Sequence, residues 1–438
     1  MAENIPGKPV KKVLILAYSF PPVGGGRVRR VMKFVKYLPF FNWQPVVLTV
    51  KNPQVGVYDH TLLGGLNGDV AIIRTPSLEP NRAFHKGRQY GSKSKIVLNL
   101  LYKIKTSIFI PDTRIGWIPF AVLNGISVIK KQRIDVIMVI AEPFSSFISG
   151  VILKFFTRKP LVLDFRDEWS ENNKCVFKEK GFLVKKAEEL LEAMCVRYAD
   201  CVISVTDGII DRFRRRYEGS KDKFTCITNG YDPDDFKDLG EPINKNNIFT
   251  ISYAGALYER RIPKYFFEAA ASLVEDYPEL KKIMRINFMG EITPEVKNSL
   301  ENSAAKEIIQ VVGFLNFKDA LKEMKSSDVL LYVEDEVDNS CDILPAKLFE
   351  YMGIRRPVLA LVRDGIAKDV VLKSKIGLAV NPKDIGQIKN ALFNLYQAYY
   401  KNKDKFQPED DFINRFHRKD LTKKLAMNLD FLYERNKQ

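Results

Sequence analysis

The sequence is poor in the residues that bind metals and cross-link folds. Its five cysteines (Cys175, Cys195, Cys201, Cys226 and Cys341) are odd in number and form no C-x-x-C, and its three histidines are scattered. These residues spell out no zinc or iron–sulfur ligand set, so no metal site is expected, and the cysteines read as reduced core filler. No run of 18 or more uncharged apolar residues occurs, so no segment reads as a membrane-spanning helix. The opening Met1-Ala-Glu-Asn-Ile-Pro-Gly-Lys-Pro9 lacks the basic-then-apolar pattern of a signal peptide, from which a cytoplasmic location is expected. The triplet Gly24-Gly25-Gly26 is not G-x-G-x-x-G, so a dinucleotide site is not inferred. No nucleic-acid motif and no interleaving of aromatic and basic residues is found, and nucleic acid is not an expected partner.

What is present is a charge asymmetry. The chain of 438 residues has a net charge of +16, with 69 Lys and Arg against 53 Asp and Glu. Residues 1–160 hold 24 basic against 7 acidic residues, leaving 45 against 46 for the remainder. The whole excess lies in the first third, which suits an acidic partner such as an anionic membrane surface, or a solvated basic face. A basic insertion over residues 79–116 contains Ile96, Val97, Leu100, Leu101, Ile104 and Ile108 at helical spacing, flanked by Lys95, Lys103 and Lys105. Such a helix rests in a membrane interface or packs on its own domain; the first reading makes the protein peripheral at the inner face of a membrane.

Length and a 46% hydrophobic content suit two domains, each with a core. Lys12–Ala17 reads as a buried strand, followed by the glycine loop and a helix over Arg27–Leu38, the opening of a Rossmann-like unit. Three glycines either permit close backbone approach to a bound group, through Gly25 and Gly26, or form a plain turn. Further strands are expected at Pro45–Val50, Val70–Ile73, Ile134–Ile140, Leu161–Asp164, Cys201–Val205 and Phe224–Thr228, separated mostly by helices, hence a parallel sheet covered on both faces. Ligands of such sheets sit at the strand carboxyl ends. Asp164-Phe-Arg-Asp-Glu-Trp169 occupies one, where Asp164, Arg166 and Asp167 either pair with one another or face a ligand; Glu142 occupies another.

Asn229-Gly-Tyr-Asp-Pro-Asp-Asp-Phe236 ends the first domain in turn residues. The second opens with a strand over Ile248–Ala254, the loop Gly255-Ala-Leu-Tyr-Glu-Arg-Arg261 and a helix. Adjacent Arg260 and Arg261 beyond a strand-end glycine would clamp a diphosphate, since guanidinium binds phosphate oxygens in pairs. Strands follow at Arg285–Met289, Ile308–Val312, Val329–Val333, Pro357–Leu361 and Gly377–Val380, then one terminal helix over Asp411–Tyr433. Within Asp342-Ile-Leu-Pro-Ala-Lys-Leu-Phe-Glu-Tyr-Met352, Pro345 is expected at the first helical position. Leu348, Phe349 and Met352 point inward, while Lys347 and Glu350 share another face. That pair is an ordinary surface contact or, at the positive end of a helix, a site for phosphate and ribose.

The wording of this stretch, with D-F-R-D-E-W, N-G-Y-D and G-A-L-Y-E-R-R, resembles glycosyltransferase family 4. The resemblance implies the α/β GT-B fold: two Rossmann-like doubly wound domains facing a central cleft. An N-terminal acceptor-side domain would span residues 1–240, with the 79–116 insertion. A C-terminal nucleotide-sugar donor domain would span 247–405, and a helix over 411–438 would cross back to the first domain. By the same resemblance Glu350 holds the donor ribose, and Asp342 stands where the family has a glutamate that contacts the donor sugar. Gly25, Gly26, Gly255 and Leu344 line the donor. Arg260, Arg261 and Lys347 stabilise the departing diphosphate, with Ala256 in place of a family arginine. Glu142, Asp164, Arg166 and Asp167 lie toward the acceptor. The implied activity is transfer of a sugar, with retention and without metal or other cofactor, from a UDP- or GDP-sugar to a saccharide or lipid-linked saccharide in surface polysaccharide assembly. Rival readings are a GT-B sugar-nucleotide epimerase and a non-catalytic protein that binds membrane or nucleic acid through its basic N-terminal domain.

Overall fold

The computed structural model describes residues 10–51, 53, 58–66, 70–78, 109–170, 181–218, 221–241, 248–336, 342–401 and 406–438. The basic amphipathic stretch of the insertion, up to residue 108, lies outside the described residues, as do Cys175 and Cys341. The chain divides into two compact units, Met1–Thr228 with Arg418–Gln438, and Asn229–His417.

The first unit is built on seven parallel strands: β1 (Lys11–Ala17), β2 (Trp43–Val50), β3 (Ala71–Thr75), β4 (Val136–Ile140), β5 (Leu161–Arg166), β6 (Cys201–Ser204) and β7 (Phe224–Cys226), in the order β3-β2-β1-β4-β5-β6-β7. The central strands are continuous apolar runs because both faces are covered; every residue of β4 is buried, and Ile15 pairs with Val47 on one side and Met138 on the other. The crossovers are helical: α1 (Gly26–Tyr37), α2 (Ile118–Gln132), α3 (Ser145–Thr157), α4 (Phe182–Tyr198) and α5 (Asp207–Arg216).

The second unit carries six parallel strands: β8 (Phe249–Ala254), β9 (Met284–Met289), β10 (Ile309–Gly313), β11 (Val329–Val333), β12 (Val358–Leu361) and β13 (Gly377–Val380), in the order β10-β9-β8-β11-β12-β13. Its helices are α6 (Lys264–Asp276), α7 (Leu280–Ile283), α8 (Pro294–Glu301), α9 (Phe317–Lys325), α10 (Ala346–Ile354), α11 (Ile366–Lys373), α12 (Ile385–Lys401) and α13 (Asp410–Asn414). One hydrophobic cluster lies on each face, the first around Phe266, Leu273 and Leu392, the second around Leu348, Met352 and Val371.

Two expectations are corrected. Pro345 is the capping residue, in extended conformation, and α10 begins at Ala346. The terminal stretch is two helices, α13 and α14 (Arg418–Arg435). The helix breaks because the Phe416 carbonyl accepts a hydrogen bond from the Tyr231 amide at 3.1 Å and His417 bridges Tyr231, which takes the intervening backbone out of the helical ladder. α14 then packs on α1, where the Asp430 carboxylate accepts from the Lys11 ammonium and, at 2.8 Å, from Trp43 Nε1.

Candidate active site

In the second unit the candidate residues gather at the carboxyl end of the sheet. β8 ends at Ala254 and the chain turns at Gly255, whose φ of +137° disfavours a side chain. A Cβ there would also lie 2.5 Å from Lys347 Nζ, so any side chain at this position would displace the ammonium. Lys347 stands in the first turn of α10, which has no capping side chain and no acidic residue in that turn. Its ammonium sits 3.9 Å from the ring centroid of Tyr253, which is itself wholly buried and donates its hydroxyl to the Ala256 carbonyl at 3.0 Å. Among the described residues no carboxylate lies within ion-pairing distance of Lys347. Burial lowers its pKa below the ordinary lysine value, opposed by Tyr253 and, to a smaller extent, by Glu350. The Ala254 amide donates to the Tyr351 hydroxyl at 3.3 Å, and that hydroxyl donates to the Leu331 carbonyl at 3.1 Å, pinning α10 to the end of β8 and the middle of β11.

The two arginines behave differently from each other. Arg261 is held by Asp335 through Nε and, at 2.7 Å, through Nη2, and Tyr258 donates to the same carboxylate at 2.8 Å. Burial works against the Arg261 charge, but Tyr253 and Asp335 outweigh it and the net shift is upward. The Arg261 fork is thus engaged by an internal acid. Arg260 is exposed, and its carbonyl accepts from the Glu336 amide at 3.0 Å. Glu350 lies one turn beyond Lys347 and is partly buried, as is Asp342. Leu344 is buried in the cluster of Leu348 and Met352.

In the first unit Gly25, at φ +97°, caps α1, and Gly26 opens it. The α1 residue Arg30 is wholly buried and donates to Asp164 at 2.8 and 3.3 Å, to the Thr228 carbonyl at 2.8 Å and to the Ile227 carbonyl at 2.9 Å. Asp164 is equally buried, so in place of the expected contact with acceptor it pairs with Arg30, which joins α1 to β5 and to the segment after β7. The β5–β6 register shifts between Asp164 and Arg166, and this bulge sets Arg166 at φ +59°. Arg166 Nε is buried with no hydrogen-bond partner among the described residues, and burial lowers the guanidinium pKa against the pull of Asp167. Glu142 is ion-paired with Arg27, the second residue of α1. Trp169 stacks on Phe144 with centroids 5.0 Å apart. Of D-F-R-D-E-W, then, only Arg166 and Asp167 retain partial exposure at the polar strand end.

Tyr253, Asp335 and Arg30 were not foreseen. Tyr253 looks like one more core aromatic in a buried strand, and Asp335 and Arg30 gain meaning from partners 74 and 134 residues away. The signal for Tyr253 was its position two residues before the strand-end glycine.

A strand-end glycine, the N-terminus of α10 and an ammonium beside both lie at the carboxyl end of a doubly wound sheet, the place where Rossmann-like units hold their ligands. By the two family models that match it in succession, the chain belongs to the glycosyltransferases of GT-B fold, which transfer sugar from a nucleotide-sugar donor to an acceptor. The profile described as Glycosyltransferase Family 4 matches residues 24–235, and that described as Glycosyl transferases group 1 matches residues 248–398. No curated protein matches the chain. Among solved structures it is similar to a glycosyltransferase from Rickettsia africae (16% identity, TM-score 0.62, covering 96% of this chain and 98% of that one). It is also similar to Anabaena HepE in complex with UDP and glucose (15%, 0.63, 96% and 99%), and to sucrose-phosphate synthase from Thermosynechococcus elongatus (13%, 0.65, 97% and 100%). At these identities the likeness concerns the fold.

Proposed function

We propose that the protein is a retaining hexosyltransferase that uses a UDP- or GDP-sugar and transfers to a hydroxyl of a saccharide or lipid-linked saccharide. The observation that carries the donor half is the Lys347 ammonium, held over Tyr253 at the N-terminus of α10 without a carboxylate partner among the described residues. A partly buried cation beside helical N–H groups favours an anion, and a diphosphate delivers two charges to that point. Lys347 and the helix end would stabilise charge as it grows on the departing diphosphate, and Glu350, one turn on, would accept from ribose hydroxyls. Asp342 would orient the donor sugar. Arg261, being neutralised by Asp335, would hold the loop rather than act as the principal phosphate cation. Arg166 and Asp167 are the acceptor-side groups, with Glu142 held by Arg27. HepE, similar in fold, is described in complex with UDP and glucose, which is in keeping with a uridine nucleotide.

The test is a donor screen with proton NMR of the product. Transfer or slow hydrolysis of one sugar nucleotide, initial release of the sugar in the donor's own anomeric configuration, and loss of turnover in Lys347→Ala support the proposal. Interconversion of the sugar nucleotide without release would instead establish the epimerase reading.

A further inference from the structure

The first unit carries a second feature, independent of the donor site, at the opposite ends of its crossover helices. α2 and α3 each lead back from the carboxyl end of one parallel strand to the start of the next, so they run parallel to each other and their C-termini share one end of the sheet. They touch closely: a Cβ on Gly125 would meet Leu153 Cδ2 at 2.8 Å. At about 1.5 Å per residue, Lys130 lies about 7 Å beyond that contact along α2, and Phe156 about 4 Å beyond it along α3.

That end is apolar and basic together. Phe155 and Phe156 are 73% and 64% exposed, and their rings stack edge-on with centroids 5.3 Å apart. The same helix ends carry Lys130, Lys131 and Arg133 on α2, and Arg158 and Lys159 on α3. None of these five cations has an ion pair among the described residues. Lys154 reaches across to the Tyr198 carbonyl at 2.8 Å, which adds the exposed Tyr198 and Arg197 of the α4 C-terminus to the same border. The nearby acids are engaged: Asp200 accepts from Lys154 at 2.6 Å, and Asp135 accepts from the Lys12 amide at 2.8 Å.

Two adjacent phenylalanines held in water at a helix end contribute nothing to the core, and unpaired cations at the same helix ends disfavour a basic or neutral partner. We infer that this helix-end face docks on an anionic lipid surface, the phenylalanines entering the headgroup region and the five cations meeting lipid phosphates. The chemistry is that of an interfacial anchor: apolar area for insertion, charge for attraction, and no membrane-spanning helix among the described residues. Docking here would concentrate the protein at a membrane without using any group of the donor site.

The experiment is vesicle co-sedimentation of the full chain with phosphatidylcholine alone and with phosphatidylcholine containing phosphatidylglycerol. Wild type is expected to pellet with the anionic vesicles, less so as salt is raised. Phe155→Ser with Phe156→Ser should weaken binding more than about tenfold while leaving the unfolding midpoint and nucleotide binding unchanged. Lys130→Ser with Lys131→Ser, a separate variant, should lose about fivefold per charge on anionic vesicles only. Wild type that stays in solution, or variants that pellet like wild type, would overturn the inference. So would a dimer abolished by the phenylalanine substitutions in the absence of lipid binding, which assigns the face to a second copy, or a salt-sensitive complex with single-stranded DNA that outcompetes vesicles.

Discussion

The Lys347 ammonium has an aromatic face and a helix N-terminus for company, an arrangement stable enough to fold yet incomplete in charge. Substituting Lys347→Ala should therefore cost little stability but weaken nucleoside diphosphate binding by about 10- to 100-fold, the effect of deleting one charged hydrogen-bond donor, as read by calorimetry. The pH dependence carries an opposed pair of signs. Burial lowers the folded-state pKa of Lys347, so between that lowered value and the ordinary lysine value of about 10.4 the unfolded chain binds more protons than the folded one. Across that window the contribution of Lys347 to stability rises with pH, while affinity for diphosphate falls as the ammonium is lost. Nucleotide titrations and thermal melts over the same alkaline range check both signs; Lys347→Arg should keep affinity to higher pH. At the other polar centre, Arg30→Ala or Asp164→Ala leaves a buried charge alone and should destabilise by about 3–5 kcal/mol in denaturant titrations.

The elements show where the sequence was informative and where it was not. Both parallel sheets were legible because β1, β4, β8 and β11 are short apolar runs separated by helical periodicity, and β11 over Val329–Val333 carries all five residues buried. The terminal helix was misread because its apolar periodicity continues through Arg415–His417. Only a hydrogen bond to Tyr231, 185 residues earlier, reveals the break. The candidate site was legible as a stretch, since Lys347 and Glu350 fall on α10 as expected, but the partner of Arg261 was not. Whether Arg261 is available depends on Asp335, brought alongside by the neighbouring strand end. Because Tyr351 ties α10 to β8 and β11, Tyr351→Phe should leave two backbone groups short of a partner and lower stability by about 1–3 kcal/mol, measured by chemical denaturation.

For the whole molecule, the second unit is one continuous segment, Asn229–His417, whereas the first is assembled from Met1–Thr228 and Arg418–Gln438. The polar linker near residues 241–247 looked like the boundary because it is rich in turn residues, yet Tyr231 and Leu239 belong to a core of the second unit. Phe236 lies against Gly353, where a Cβ would come within 2.4 Å of its ring. A fragment of residues 229–417 should then unfold cooperatively and bind nucleotide, while one starting at residue 247 should melt lower and broadly, as followed by circular dichroism. The measurement that bears most directly on the donor assignment is calorimetric titration of UDP, GDP, ADP and CMP into wild type, Lys347→Ala and Glu350→Ala. UDP or GDP is expected to bind, each substitution to weaken it at least about tenfold, and melting temperatures to hold. Absence of binding by every nucleotide, or equal affinity in all three proteins, would contradict a donor site at the N-terminus of α10.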